Sequence, residues 1–312
     1  MNTADLHHAY RLRAPLPTDA ESVLALLVAR EVADIGAPEI TLAGLRDEWG
    51  AGDFDLSIDA RLVETADGRI VGYAAMFREV TMFVVVAPDH EGLGLGSRLR
   101  VWAEHRDRAR GSGCHRQWIA ASNARARTHL LDAGYRPERS YWRLAGTLDA
   151  VGAASSPPAG ISLRPVDVDE DAATLHALDE VSFEGNADYV PESFDAFSDE
   201  HLRAHDSDPQ LSSVAEYRGR AIGFLLARHW GERGVGFIDL LGVHPDHRAR
   251  GVGTALLQSG CARFAAAGLR EAQLGVASDN PNALRLYKRL GMTPRFRYDT
   301  YERRAVGPGS DI

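Results

Sequence analysis

The chain is an internal duplication, and that limits the folds open to it. Gly94 and Gly96 recur as Gly251 and Gly253, and Asn123, Ala126 and Gly134 recur as Asn280, Ala283 and Gly291. Both blocks share one offset, 157 residues, which separate blocks rarely do by chance. Weaker echoes extend the match. Leu12-Arg13-Ala14-Pro15 parallels Leu163-Arg164-Pro165-Val166, and Asp67 to Tyr73 parallels Arg218 to Phe224. The latter pair reads as a tight turn into a strand, with Gly where positive φ costs least. Between the copies, Gly152 to Pro158 is rich in small residues and proline, the composition of an exposed connection. The sequence thus predicts a first domain over 1–150, a linker over 151–160 and a second domain over 161–312, each of ordinary domain size.

Within each copy the pattern reads strand, one or two helices, three strands, helix, strand, helix, closing strands. In the second copy strands are expected near 161–165, 211–217, 220–229, 235–243, 272–277 and 295–302. Helices are expected near 168–182, 191–204, 251–267 and 280–290. Antiparallel hairpins with one parallel crossover make an α+β fold, a mixed and mainly antiparallel central sheet flanked by helices.

Composition removes several function classes. Hydrophobic residues at 45% and charged residues at 25% are those of a globular protein. No apolar run approaches the ~20 residues that span a bilayer, and the N-terminus lacks a signal-peptide pattern, so the expected location is the cytoplasm with no membrane partner. The net charge of −9 argues against a nucleic-acid partner and suits a cationic or amine-bearing one. Cys114 and Cys261 sit in no metal-ligand spacing, so the reading is two free thiols and no metal.

Chemistry concentrates in Ile238 to Leu257. An apolar strand runs into a loop, Arg248-x-x-Gly251-x-Gly253, and then a helix. Glycines let backbone approach a ligand, and amides at a helix N-terminus favour an anion. A pyrophosphate fits such a place; a plain strand-to-helix turn is the other reading of the glycines alone. Farther on comes Asn280-Pro281-Asn282-Ala283-Leu284-Arg285-Leu286-Tyr287-Lys288-Arg289-Leu290-Gly291-Met292.

Together these segments resemble the GNAT acetyltransferase superfamily. Arg248, Gly251 and Gly253 match its R/Q-x-x-G-x-G/A turn. Asn280, Ala283, Leu286, Tyr287 and Gly291 match its N-x-x-A-x-x-L-Y-x-x-x-G-F segment, with Met292 where Phe is usual. The tandem form resembles that of mycothiol synthase, whose second half is the active one. The resemblance implies two GNAT domains and acetyl-CoA as co-substrate. Amides of Arg248, Ala249, Arg250, Gly251, Val252, Gly253 and Thr254 would hold the pyrophosphate. The backbone of Leu241 to Val243 would pair with the pantetheine arm, and Asn280 would hydrogen-bond it. Tyr287 would protonate the departing thiolate, unless it is a core aromatic beside Leu284 and Leu290. For the base, the usual Glu position is Phe237. Strand alternation would put residues 237, 239, 241 and 243 on one face, making Asp239 the candidate and His244 a second choice. Asp239 can equally be a structural or substrate-orienting carboxylate.

The first copy departs from the family pattern. Val86, Gly92, Gly94, Gly96, Ser97 and Asn123 survive as a possible second CoA site. Glu91 stands where Arg or Gln is usual, Leu130 stands at the tyrosine position, and Val80 and Met82, with Glu79 just outside, stand where a base would be. This copy is expected to be catalytically silent. The expected activity is transfer of an acetyl group to a primary amine of a small molecule by the second copy. An acyl-CoA sensor, a longer acyl donor or a protein N-terminus as acceptor are the alternatives. Acidic residues of the first helical loop, Asp179, Glu180, Glu184, Asp188 and Glu192, would favour a polycationic amine, and a solvated acidic surface is the other reading of each. Monomer and homodimer are both open.

Overall fold

The computed structural model describes residues 9–52, 54–77, 81–111, 113–149, 156–187 and 189–304. Glu79, Val80, Asp188 and linker residues 151–155 lie outside them. In chain order the first elements are β1 (Tyr10–Arg13), α1 (Ala20–Ile35), α2 (Leu42–Gly50), β2 (Ala60–Thr65), β3 (Ile70–Phe77) and β4 (Thr81–Val86). Then come α3 (Leu95–Ala109), β5 (Cys114–Ala120), α4 (Ala124–Asp132) and β6 (Arg136–Thr147). The second series is β7 (Ile161–Arg164), α5 (Val168–Phe183), β8 (Ser213–Tyr217), β9 (Arg220–Trp230) and β10 (Val235–Val243). It ends with α6 (Val252–Ala266), β11 (Glu271–Ala277), α7 (Pro281–Arg289) and β12 (Thr293–Arg304).

Each series builds the same frame. β1 to β4 pair antiparallel in turn and β4 pairs parallel with β5. β7 to β10 pair antiparallel in turn and β10 pairs parallel with β11. The α+β reading and the repeat are thus visible in the pairing itself. The boundary is different from the one expected. One compact unit takes the chain up to Ser140 together with residues from Phe296 onward; the other takes Tyr141–Arg295. Strand pairing is the reason. Tyr141–Thr147 pairs antiparallel with β11, whereas Tyr298–Arg304 pairs antiparallel with β5. The closing strand of each unit therefore comes from the other half of the sequence, and the expected limits at 150 and 312 give way to these.

In the second unit, α5 begins at Asp167, whose carboxylate accepts from the amides of Asp169 and Glu170. Its buried stripe is Asp171, Ala172, Leu175, Leu178, Asp179 and Ser182, at helical spacing. Leu175 and Leu178 pack with Phe224, Leu226 and Leu240 on one face of the sheet. Leu256, Leu257, Cys261 and Phe264 of α6 pack with Leu225, Ile238 and Leu274 on the other. Between Phe197 and Arg203 the chain makes a π-turn, Ser198–Leu202, where a regular helix was expected. Cys114 and Cys261 are both free thiols. No helix among the described residues is long and apolar enough to cross a membrane.

The sheet and α6 approach closely at Gly236, where a Cβ would lie 2.3 Å from the Phe264 ring. Gly236→Ala should lower unfolding free energy by about 1–3 kcal/mol in urea titration. Gly50→Ala, where a Cβ meets nothing within 4 Å, should leave it unchanged or slightly raised.

Candidate active site

The site begins where two parallel strands part. β10 pairs with β11 over Val235 to Ile238 only, against Glu271 to Leu274. On its other edge β10 stays paired with β9 to its end, Val243 opposite Gly223. The backbone of Leu240 to Val243 is therefore paired on the β9 side and has no recorded strand partner on the β11 side. The register with β9 slips between Ile238 and Leu240, so Asp239 is the extra residue of a β-bulge.

The bulge changes which side chains share a face. Leu240 packs with Leu175 and Leu178 of α5, while Leu241 and Val243 pack with the α6 core. Asp239 reaches His201 and Arg228. Simple alternation put 239, 241 and 243 together; the inserted residue separates Asp239 from the other two.

Beyond β10 a short turn, Pro245–His247, leads to Arg248 and to two residues with positive φ, Ala249 (60°) and Gly251 (82°). Left-handed backbone is costly for alanine, and alternation of this kind turns successive amides toward one concavity. Gly251 is the N-cap of α6, whose first-turn amides at Val252, Gly253 and Thr254 precede the first intrahelical donor, the Ala255 amide. A Cβ on Gly253 would fill the space beside Leu286 and Val243, at 3.6 and 3.7 Å. The loop thus offers amides, a helix dipole and an uncluttered surface, which fit a phosphate-bearing ligand.

Arg248 acts as a staple there. Its Nε donates to the Val243 carbonyl at 3.1 Å and its Nη2 to the Ser182 carbonyl at 2.6 Å, tying the loop to β10 and to the end of α5. Asn280 accepts from the Ala283 amide at 3.0 Å and caps α7. Tyr287 is buried in the α6 core with Leu290 and Met292. Among the described residues its hydroxyl has no hydrogen-bond partner. Burial pushes the phenol up to about 12, so it carries its proton at neutral pH. His244 accepts from the Asp246 amide and caps the turn after β10.

Asp239 lies in a buried ionic cluster. His201 Nδ1 is 2.7 Å from its Oδ2, and Arg228 reaches Oδ1 at 3.0 Å and Oδ2 at 3.1 Å. Arg228 also meets Asp206 at 3.0 Å, and Asp206 accepts from Trp230 Nε1 at 2.8 Å. On its other nitrogen His201 faces Glu192 at 3.5 Å. Desolvation works against both charges. At Asp239 it is outweighed by His201 and Arg228, which hold the carboxyl below its ordinary range. At His201 it is outweighed by Asp239 and Glu192, which push the imidazole up to about 9. Asp239 is therefore a committed anion, and His201 a cation at neutral pH. Glu180 and Glu184 are exposed, while Asp179 is buried beside Tyr189.

Sequence reasoning missed His201 and Arg228. Arg228 was within reach. The Gly231–Gly234 turn sets Arg228 opposite Phe237, two residues before Asp239, so counting the hairpin pairs an arginine with the acid. His201 was out of reach because the π-turn, not a regular helix, aims it.

The first unit repeats the frame with different side chains. Among the described residues β4 meets β5 at Thr81–Met82 against Arg116–Gln117, and Gly92 and Gly94 have φ of 80° and 81°. Yet the described β3–β4 pairs keep one register, with no bulge. Met82 and Leu130 are buried apolar residues. Glu91 pairs with Arg30 at 2.6 Å and Arg125 at 3.7 Å, which neutralises the charge expected to repel a phosphate. Asn123 caps α4 and donates to Asp34.

The family model described as "Acetyltransferase (GNAT) family" matches residues 38–135 and 173–292. This chain belongs to that family. The mycothiol acetyltransferase of Amycolatopsis mediterranei is 31% identical, the match covering 88% of this chain and 91% of the relative. That of Thermobispora bispora is also 31% identical, covering 92% and 97%. A crystal structure of a GCN5-related N-acetyltransferase from Sphaerobacter thermophilus superposes with a TM-score of 0.80 at 29% identity, over 97% of this chain and 98% of that one. A tandem GNAT protein from the clavulanic acid biosynthesis pathway shares the fold, with a TM-score of 0.76 at 18% identity, over 96% and 100%. The chain is thus an acyltransferase with two GNAT domains.

The His201 cluster has a pH signature. A proton held more tightly in the folded state stabilises fully below the unfolded pKa and loses that effect as pH rises through the folded one. The stability difference between wild type and His201→Gln should shrink by roughly 2–3 kcal/mol between about pH 6 and about pH 10. Urea titrations across that range measure it. A constant difference would mean that His201 is neutral in the fold.

Proposed function

We propose that this chain is an acetyl-CoA-dependent N-acetyltransferase that acts on a primary amine of a small molecule, with its chemistry in the second unit. The observation that carries this reading is the parting of β10 and β11 beside the Ala249–Gly251 loop, with Tyr287 on the neighbouring helix. Bound in this cleft, acetyl-CoA would supply an activated acyl group as its thioester. The amides around Val252 to Thr254 hold its pyrophosphate, and the unpaired edge of Leu241 to Val243 takes the pantetheine arm as an added strand. Tyr287, neutral and desolvated, gives its proton to the leaving thiolate. Asp239 orients the site through His201 and Arg228. The names of the curated relatives support a small molecule as acceptor.

The second unit is preferred because the first has Leu130, Met82 and Glu91 where the second has Tyr287, Asp239 and Arg248. Its loop glycines remain compatible with weak binding of acetyl-CoA, a second site at Val86, Gly92, Gly94, Gly96, Ser97 and Asn123.

Two measurements test the reading. In calorimetry, Gly251→Glu should abolish tight acetyl-CoA binding and Gly94→Glu should leave it in place, with folding of both variants checked by circular dichroism. With a panel of primary amines and detection of free CoA thiol, Tyr287→Phe should lower kcat on the order of 100-fold while the acetyl-CoA Kd stays unchanged. Binding without turnover of any amine would favour an acyl-CoA sensor. Unchanged turnover in Tyr287→Phe would remove Tyr287 from the reaction.

A further inference from the structure

Two acids lie on the buried stripe of α5, and they are treated differently. Asp171 is met by both terminal nitrogens of Arg164, at 2.6 and 2.7 Å, and by the Asp167 amide at 2.8 Å. It is a satisfied structural carboxylate. Asp179, two turns on, is just as buried, with 6% of its surface exposed. Its Oδ2 accepts from the Tyr189 hydroxyl at 3.1 Å, but its Oδ1 is buried with no hydrogen-bond partner. A buried acceptor of this kind is costly, and more so when charged. Burial accordingly pushes Asp179 up to about 6. The same strip of chain carries further unmet polar atoms, Ser182 Oγ one turn on and Ser198 Oγ in the π-turn.

Asp179 is also placed between the two parts of the site. Ser182 accepts from Arg248 of the loop, and His201 of the π-turn binds Asp239 at the bulge. The groups acting on Asp179 are Tyr189, His201, Glu192 and His176, with Asp239 and Arg228 behind His201. Of these, His201 is held as a cation, and it already answers Asp239 and Glu192.

We infer that the free oxygen of Asp179 is the receptor for the ammonium group of a cationic acceptor, with Tyr189 fixing the carboxylate in place. The inference rests on the acetyltransferase reading for its purpose, but not for its test. An ammonium supplies both what Oδ1 lacks, a hydrogen-bond donor, and a countercharge for a desolvated anion. A neutral isostere supplies neither charge nor a strong donor. Asp179 is thus a specificity-determining residue, selecting a protonated amine over an alcohol of the same size.

The test uses the full chain labelled with carbon-13 at its Asp carboxyls. The Asp179 signal is the one missing from Asp179→Asn. Ethylammonium chloride is the probe and ethanol its neutral control. The expected result is a signal that titrates near pH 6 in the free protein, moves to lower pH with saturating ethylammonium and ignores ethanol. With the best amine of the panel, Asp179→Asn should raise the amine KM at least tenfold, and Tyr189→Phe should raise it less. The acetyl-CoA Kd, an index of intact folding, should not change in either. An Asp179 signal unmoved by ethylammonium, or an unchanged amine KM in Asp179→Asn, would overturn the assignment. If no amine is ever turned over, the acetyltransferase reading fails, and the carboxyl titration still decides the fate of this one.

Discussion

One inserted residue in β10 sets the geometry of the second unit's site. Without the bulge at Asp239, β10 would present Leu240 toward α6 and Leu241 toward α5, and its polar backbone edge would keep a regular register to the end of β9. With it, Leu240 joins Asp239 on the α5 side, and Leu241 and Val243 turn to the α6 core as β11 leaves. A lone carboxylate could not remain there. Arg228 and His201 supply three charged contacts to it between them, and removing one partner of such a partly buried set costs on the order of 3 kcal/mol. The bulge sets the faces of the residues that follow Asp239, and the ionic cluster makes the burial of its charge tolerable.

The first unit separates the frame from that dependence. Its strands part, its loop has the same pair of positive-φ positions and its helix begins at a left-handed glycine. Met82 stands at the position of Asp239, packs apolar against its surroundings and needs no bulge. The frame is thus a property of the fold and accepts either filling. Glu91 illustrates the same freedom. Where Arg248 grips two carbonyls, Glu91 binds Arg30 of α1, so a loop-to-helix tie survives a reversal of charge.

Much of this was legible because it is periodic. The shared offset, the strand and helix spans and the loop glycines all follow from local spacing, and the observed elements lie within a few residues of the expected ones. Three things were not legible, each because it breaks a period. The bulge at Asp239 leaves no mark in an apolar run, since the slip becomes visible only against β9. The π-turn at Ser198–Leu202 looks like helix in composition. The exchange of closing strands is invisible because residues 141–147 and 298–304 read as good strands wherever they pair. Asp239 was readable as an acid on the fourth strand of its domain. Its partners were not, because they come from elements that alternation alone cannot align with it.

The charges of the site carry a final implication for the acceptor. Around the bulge two cations, Arg228 and His201, meet four carboxylates, Asp179, Glu192, Asp206 and Asp239. Both cations touch Asp239, so the excess of negative charge is borne by the groups on and near α5 rather than by the strand. Field strength grows as solvent is excluded, and a cation entering on that side would be drawn in before any specific contact forms. A substrate that must lose a proton before attacking would then arrive in its charged form, held by carboxylates. Its proton affinity would be raised by the same field that binds it. Binding and reactivity thus pull in opposite directions here. The protonated His201 beside Asp239 and Glu192 opposes the excess together with Arg228, because it offsets the negative field near the point where β10 and β11 part.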